Sequence, residues 1–213
     1  MTRAWAQTLT GRAVTLARPD ARDIDPLVDM PEALARLCRF NGATPGGLYS
    51  VAQHCVLVSD AILDERDDAE LAAHGLLHDA HEYLLGDITT PQIAAFAEIE
   101  AEIFPGTQII CGIVNEAKHR ADEAIWRACG LPLPDEAQRR VVHGYDRRML
   151  MMERRHMLAK PPKSWGADLE RIAPLRLRGK IRAWPIAQAA DAFRDRLIKL
   201  CPAVTRRAAM TGV

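Results

Sequence analysis

The chain has 213 residues, 48% of them hydrophobic, which is enough to bury a substantial core and suits one domain better than two. Lys plus Arg and Asp plus Glu both number 28, so no global basic field draws in a nucleic-acid polymer, while a small anionic ligand stays open. Five dispersed cysteines with no zinc-knuckle spacing suit a reduced compartment; no membrane-length apolar run occurs and no apolar leader core follows Arg3 and Trp5, so a cytoplasmic location is expected.

Residues 1 to 25 hold the only strand signal, around Val14 to Leu16 with Gly11 as a turn residue, so any sheet is minor. From Pro31 the pattern turns helical, with Leu34, Leu37 and Cys38 at helical spacing, until Asn41-Gly42 stops it. After a loop from Gly42 to Tyr49, Ser50-Val51-Ala52-Gln53 has the form of a capping box and opens a helix to about Leu63. A third helix is predicted from Asp67 or Asp68 to Leu85, ahead of Gly86. A short helical stretch after Pro91 is broken by Pro105-Gly106, and a long amphipathic helix then runs from about Thr107 to Cys129 and ends at Gly130. Another helix spans roughly Asp135 to Leu158. Residues 159 to 183, rich in Pro, Lys, Arg and Gly, read as an ordered but irregular crossing segment. Pro185 opens a final helix with Ile186, Ala189, Phe193, Leu197 and Leu200 on one face. The expected fold is all-α, with a motif-bearing core over about residues 31–158 and an extension, 159–213, packed on it.

The segment HGLLHDAHEYLLGD, residues 74 to 87, puts three histidines, two aspartates and a glutamate into an otherwise apolar helix. On one continuous helix, His78, Asp79 and Glu82 share a sector of about one turn and converge on one point. His54 falls on the face of Val51, Val58 and Ala61, and Asp146 lies between Val142 and Met149. Burying an unpaired carboxylate costs several kcal/mol, and one shared cation would answer all these anomalies together. Taken singly, each has a plainer explanation: His54 as a hydrogen-bonded core residue, Asp146 as a salt-bridge partner of Arg139, Arg147 or Arg148. His74 and His81 are expected to be exposed or to support the ligands, and His119 and His143 to be surface residues.

What raises the metal reading is order and spacing: a His, then, after 23 intervening residues, a His-Asp dipeptide, then a distant Asp on a later helix. This resembles the HD-domain phosphohydrolases, whose metal is bound by H...HD...D on a helical core. His78-Asp79-Ala80-His81-Glu82 followed by Gly86-Asp87-Ile88-Thr89-Thr90-Pro91 looks like the HDAxE...GDxxTP signature of bacterial 5'-deoxynucleotidases and of phage deoxynucleoside triphosphohydrolases. Ser50 to His54 is similar to their SVAEH run, and Arg39, 15 residues before His54, falls where they keep an Arg. Two departures stand out: Phe40 replaces a common Trp, and Ile93 replaces a Lys that offers a phosphate contact.

The resemblance implies one divalent transition metal (Mn, Co, Fe or Ni, with Mg and Zn as alternatives) held by His54, His78, Asp79 and Asp146. A second carboxylate does not follow the His-Asp pair, since Ala80 stands there, and one metal is therefore expected. It further implies that Glu82 positions or deprotonates a water, that Asp87 orients attack or protonates the leaving oxygen, and that Arg39 contacts phosphate or sugar. Phe40 would pack near C2' and disfavour a 2'-hydroxyl. The expected function is 5'-deoxynucleotidase, with a dATP-type triphosphohydrolase as the rival reaction and a catalytically silent nucleotide-binding module as the rival class. The expected partner is a small deoxynucleotide, with neither nucleic-acid polymer nor membrane, and helices with exposed apolar residues point to a homo-oligomer.

Overall fold

The computed structural model describes residues 4–177 and 179–206. Arg3 and residues 207–213 of the expected C-terminal extension lie outside the described residues. The chain folds into a predominantly helical bundle with one two-stranded antiparallel sheet. Strands β1 (Trp5–Gln7) and β2 (Ala13–Thr15) pair through Ala6 and Val14 around a turn at Gly11, whose φ of 86° suits glycine.

Helix α1 (Asp29–Arg36) is followed by a 3-10 turn over Arg39–Gly42 and then by α2 (Val51–Arg66). The Ser50 hydroxyl caps α2 by accepting from Gln53 N at 3.2 Å. The other half of the expected capping box does not form. Gln53 instead crosses to the C-terminal segment, donating Nε2 to Arg182 O at 2.8 Å and accepting from Trp184 N at 2.9 Å. Asp67 ends α2 in the left-handed conformation, and Asp68 caps α3 (Ala69–Leu77) by accepting from Leu71 N at 2.9 Å.

The single helix expected from Asp67 to Leu85 is not continuous. After α3 the chain tightens into a turn whose bonds run three residues apart, Ala80 N to Leu77 O at 2.8 Å and Glu82 N to Asp79 O at 3.1 Å, before a one-turn helix α4 (Glu82–Leu85). The reason lies in the polar residues there. His78 turns its Nδ1 onto the Gly75 carbonyl at 2.7 Å, so a side chain occupies an acceptor at the end of α3.

Helices α5 (Thr90–Ile103) and α6 (Ile109–Cys129) form a hairpin closed by Glu100, which accepts from Ile109 N at 2.5 Å, Ile110 N at 3.0 Å and the Thr107 hydroxyl at 2.8 Å. Its outer half leaves Phe96, Ile99, Ile103, Phe104, Ile109 and Ile113 exposed, whereas the C-terminal half of α6 enters the core through Ala121, Ile125 and Cys129. Gly130 closes α6 in the left-handed conformation. A reciprocal Asp135–Gln138 capping box, 2.8 and 2.9 Å, starts α7 (Glu136–His156). The crossing segment contains one short helix, α8 (Ala167–Glu170). In α9 (Ile186–Leu200), Ala189, Phe193 and Leu197 are fully buried, while Ile186 is exposed and Leu200 half-buried.

Helices α2 and α3 pack closely because Gly75 has no Cβ: one built there would lie 2.5 Å from Ile62 Cδ1. Helix α9 covers α1, α2 and α3, and α7 lies against α2 and α3. The Arg196–Asp60 pair, at 2.6 and 3.0 Å, ties α9 to α2. Helices α2, α3 and α7 therefore turn inward-facing side chains toward one region. Among the described residues no helix is long and apolar enough to cross a membrane.

Candidate metal centre

Helix α2 brings in His54, the end of α3 His78, the following turn Asp79, and α7 Asp146. His54 Nε2 lies 3.2 Å from His78 Nε2, 3.2 Å from Asp146 Oδ1 and 3.7 Å from Asp79 Oδ2. His78 Nε2 lies 3.2 Å from Asp79 Oδ2 and 3.8 Å from Asp146 Oδ1. A cation bound at about 2.1 Å to N and O donors sets neighbouring ligand atoms about 3 Å apart at right angles, close to these separations. Donor atoms of His54, His78 and Asp146 fall within 4.8 Å of one another.

The ring protons test the fit. Gly75 O can only accept, so His78 Nδ1 carries the proton at that 2.7 Å contact. The buried Glu153 carboxylate likewise takes His54 Nδ1 at 2.5 Å. With both Nδ1 atoms committed, the two Nε2 atoms face each other across 3.2 Å, an arrangement that calls for a proton or a metal ion between them. His54, His78 and Asp146 could hold a metal ion, with Asp79 Oδ2 3.2 Å and 3.7 Å from the two imidazoles.

The titration directions follow the same arrangement. Burial alone would raise the Asp146 carboxyl, but hydrogen bonds and charge from His54 and His78 outweigh it and hold the group below the usual carboxylate range. Burial opposes charge on His78, yet Asp79 beside it and its bonding to Asp146 and Asp79 push it well above an ordinary histidine. Burial would raise Asp79, but His78, Arg39 and His54 outweigh it and hold the group well below the usual range. Glu82 behaves oppositely: burial, with the negative charges of Asp79 and Asp87, pushes it up to about 9. Asp87, half-buried after Gly86, is also raised, chiefly by burial.

The turn after α3 divides the polar cluster. His78 joins His54 and Asp146, while Asp79, His81 and Glu82 place donor atoms within 4.8 Å of one another. The broken helix thus gives two adjoining groups rather than one convergent sector. Arg39 is turned inward, Nη1 to Asp79 Oδ2 at 3.1 Å and Nη2 to Glu153 Oε2 at 3.3 Å, with its side chain 11% exposed. This geometry makes it a holder of Asp79 rather than an open phosphate contact. Phe40 sits beside it, half-buried, with the Arg39 guanidinium 5.5 Å from its ring centre. Phe40 and Asn41 both have left-handed backbones, φ 56° and 52°, a strain of about 1–3 kcal/mol each that the anchored Arg39 helps to fix.

His74 and His81 are buried, not exposed as one expectation had it. His74 Nδ1 accepts from Trp126 Nε1 at 3.0 Å, and His81 Nδ1 lies 3.0 Å from Asp122 Oδ1. His119 and His143 are exposed, and both reach the mouth of a cleft of about 260 Å³ lined also by His78, Asp79, Asp146 and Arg139. Arg148, a suggested partner of Asp146, pairs with Glu65 at 2.8 Å.

Glu153 and Tyr49 were missed from the sequence. Glu153 is fully buried and binds His54, the Tyr49 hydroxyl at 2.7 Å, and Arg39. Its signal was available: it lies seven residues after Asp146, beside Met149 and Met152, on the inward face of α7.

No family model matches the chain. It is similar to an uncharacterized protein of Rhodobacter capsulatus, 41% identical over 108 residues, covering 48% of this chain and 54% of that protein. The chain thus spans about half the length of the curated relative it matches.

Proposed function

We propose that the chain is a divalent-metal-dependent phosphohydrolase of the HD type that acts on 2'-deoxynucleotides, releasing phosphate from deoxynucleoside 5'-monophosphates. The observation that carries this reading is the convergence of the His54 and His78 Nε2 atoms, 3.2 Å apart, with Asp79 and Asp146 beside them. The order and spacing of the HDAxE...GDxxTP residues supply the choice of reaction.

A bound Mn, Co, Fe or Ni ion supplies Lewis acidity, lowering the pKa of a water and neutralising charge on the phosphoryl oxygens. Around it the chain's own groups divide the work. Arg39 and Glu153 fix Asp79 and His54 in place, as partners of metal ligands commonly do. Glu82 keeps its proton in the cation-free chain because burial, with the negative charges of Asp79 and Asp87, opposes its ionisation. Positive charge beside Asp79 relieves that field and frees the carboxylate to hold and deprotonate a water. Asp87, with its carboxyl also raised, can carry a proton to the leaving oxygen. By the resemblance, Phe40 would pack near C2' and crowd a 2'-hydroxyl.

The triphosphohydrolase reading stands second because His119, Arg139 and His143 give the cleft mouth cationic or proton-accepting groups suited to a longer phosphate chain. A nucleotide panel on metal-stripped protein resupplied with Mn or Co, read by product chromatography, separates the cases. Deoxynucleoside plus phosphate from dNMP, with dAMP turned over faster than AMP, is the expected result. Loss of dNTP without dNMP turnover moves the assignment to the second reading. A chain that binds metal and nucleotide yet turns over neither is a binding module, and one that binds no metal removes the proposal.

A further inference from the structure

We infer that the turn after α3 forms a second divalent-cation site, built from Asp79, His81 and Glu82, which shares the Asp79 carboxylate with the first. One donor atom from each of these residues lies within 4.8 Å of the other two. His81 and Glu82 are each 5% exposed, and His81 Nε2 and Glu82 Oε2 are buried with no hydrogen-bond partner. Native chains rarely leave such atoms unanswered, and here two of them belong to adjacent residues.

The protonation of His81 says what answers them. Asp122 Oδ1 lies 3.0 Å from His81 Nδ1, and a carboxylate there takes the proton-bearing nitrogen, leaving Nε2 as a bare lone pair. His54 and His78 are arranged in the same way, with Nδ1 committed to an oxygen and Nε2 left to a cation. His74 supplies the contrast. Its Nδ1 accepts from the Trp126 indole N–H, so its other nitrogen carries the proton and cannot ligate. His81 with the Asp79 and Glu82 carboxylates makes a mixed N and O donor set, which suits Mn, Fe or Co better than Mg. Two ions bridged by one carboxylate sit about 3.5–4 Å apart, the spacing at which a pair clamps both the attacking and the leaving oxygen of a phosphoryl group.

What the pair would do rests on the phosphohydrolase reading; how many ions bind does not. The test counts ions on the full chain: metal-stripped protein is titrated with Mn(II), bound metal is measured after gel filtration, and the electron paramagnetic resonance spectrum is recorded. The native chain is expected to bind two ions per molecule and to show an exchange-coupled pair. His81→Gln and Glu82→Gln are each expected to bind one ion with an uncoupled spectrum, and His54→Gln also one. Circular dichroism checks that each variant is folded, and the near-isosteric Glu82→Gln carries the test alone where His81→Gln does not fold. One ion per native chain, unchanged by either substitution, overturns the second site and leaves the first standing. No bound ion at all overturns both.

Discussion

Glu153 joins three demands in one carboxylate: it accepts from the Tyr49 hydroxyl, holds the proton-bearing nitrogen of His54 and pairs with Arg39. Burial opposes its ionisation, and the charges of Arg39 and His54 more than offset burial, so the group is held below its ordinary range. Removing it strands the Arg39 guanidinium in a nearly closed pocket where Nε already lacks a partner. Glu153→Ala is therefore expected to lower unfolding stability by about 3–5 kcal/mol, measured by urea denaturation. Tyr49→Phe, which loses one hydroxyl contact, is expected to cost about 1 kcal/mol. Metal affinity should fall roughly 10–100-fold in a folded Glu153→Gln chain, since a neutral amide replaces the charged acceptor that orients the His54 ring.

Helix ends were legible wherever a cap is local. Ser50, Asp68 and Gly130 act where the sequence placed them, and α7 begins beside the expected Asp135, because each bond spans only a few residues. At Gly130 the left-handed backbone, φ 72°, is combined with a close approach, a Cβ there falling 2.5 Å from Ala203 Cβ. Gly130→Ala is expected to destabilise the chain by about 1–3 kcal/mol, read as a lower denaturation midpoint, because strain and overlap add. The break after Leu77 was not legible. Helical periodicity runs through residues 69 to 85, and only the demand of His78 for the Gly75 carbonyl, together with ligands drawn in from α2 and α7, cuts it. Gln53 reaching the Arg182 carbonyl and Glu153 reaching Arg39 were hidden for the same reason: their partners lie more than a hundred residues away in the chain. The convergence of His54, His78 and Asp146 could be read because their order survives in sequence, whereas the support around them exists only in space.

At the scale of the molecule, α2, α3 and α7 converge with α9 covering the opposite side of α2 and α3, so a cation would fasten three helices at once. An ion that binds only the folded chain stabilises it by about 2.7 kcal/mol at a hundred times its dissociation constant. For a chain of this length that amounts to roughly 5–10 °C in Tm. Adding Mn(II) to metal-stripped protein is expected to give a rise of that order in differential scanning calorimetry, and a chelator to reverse it. His54→Gln should show a much smaller rise.

The bond between His54 and Glu153 spans 99 residues, and that between Arg39 and Glu153 spans 114. Loops of that length close late, because their entropy must be overcome before any contact rewards it. A nascent chain that has made α2 and α3 but not α7 holds two imidazoles and one aspartate without Asp146 and without Glu153 to orient His54. A bound ion would therefore meet its full set of donors only once α7 has docked. Tight metal uptake would then report finished molecules in a mixed population.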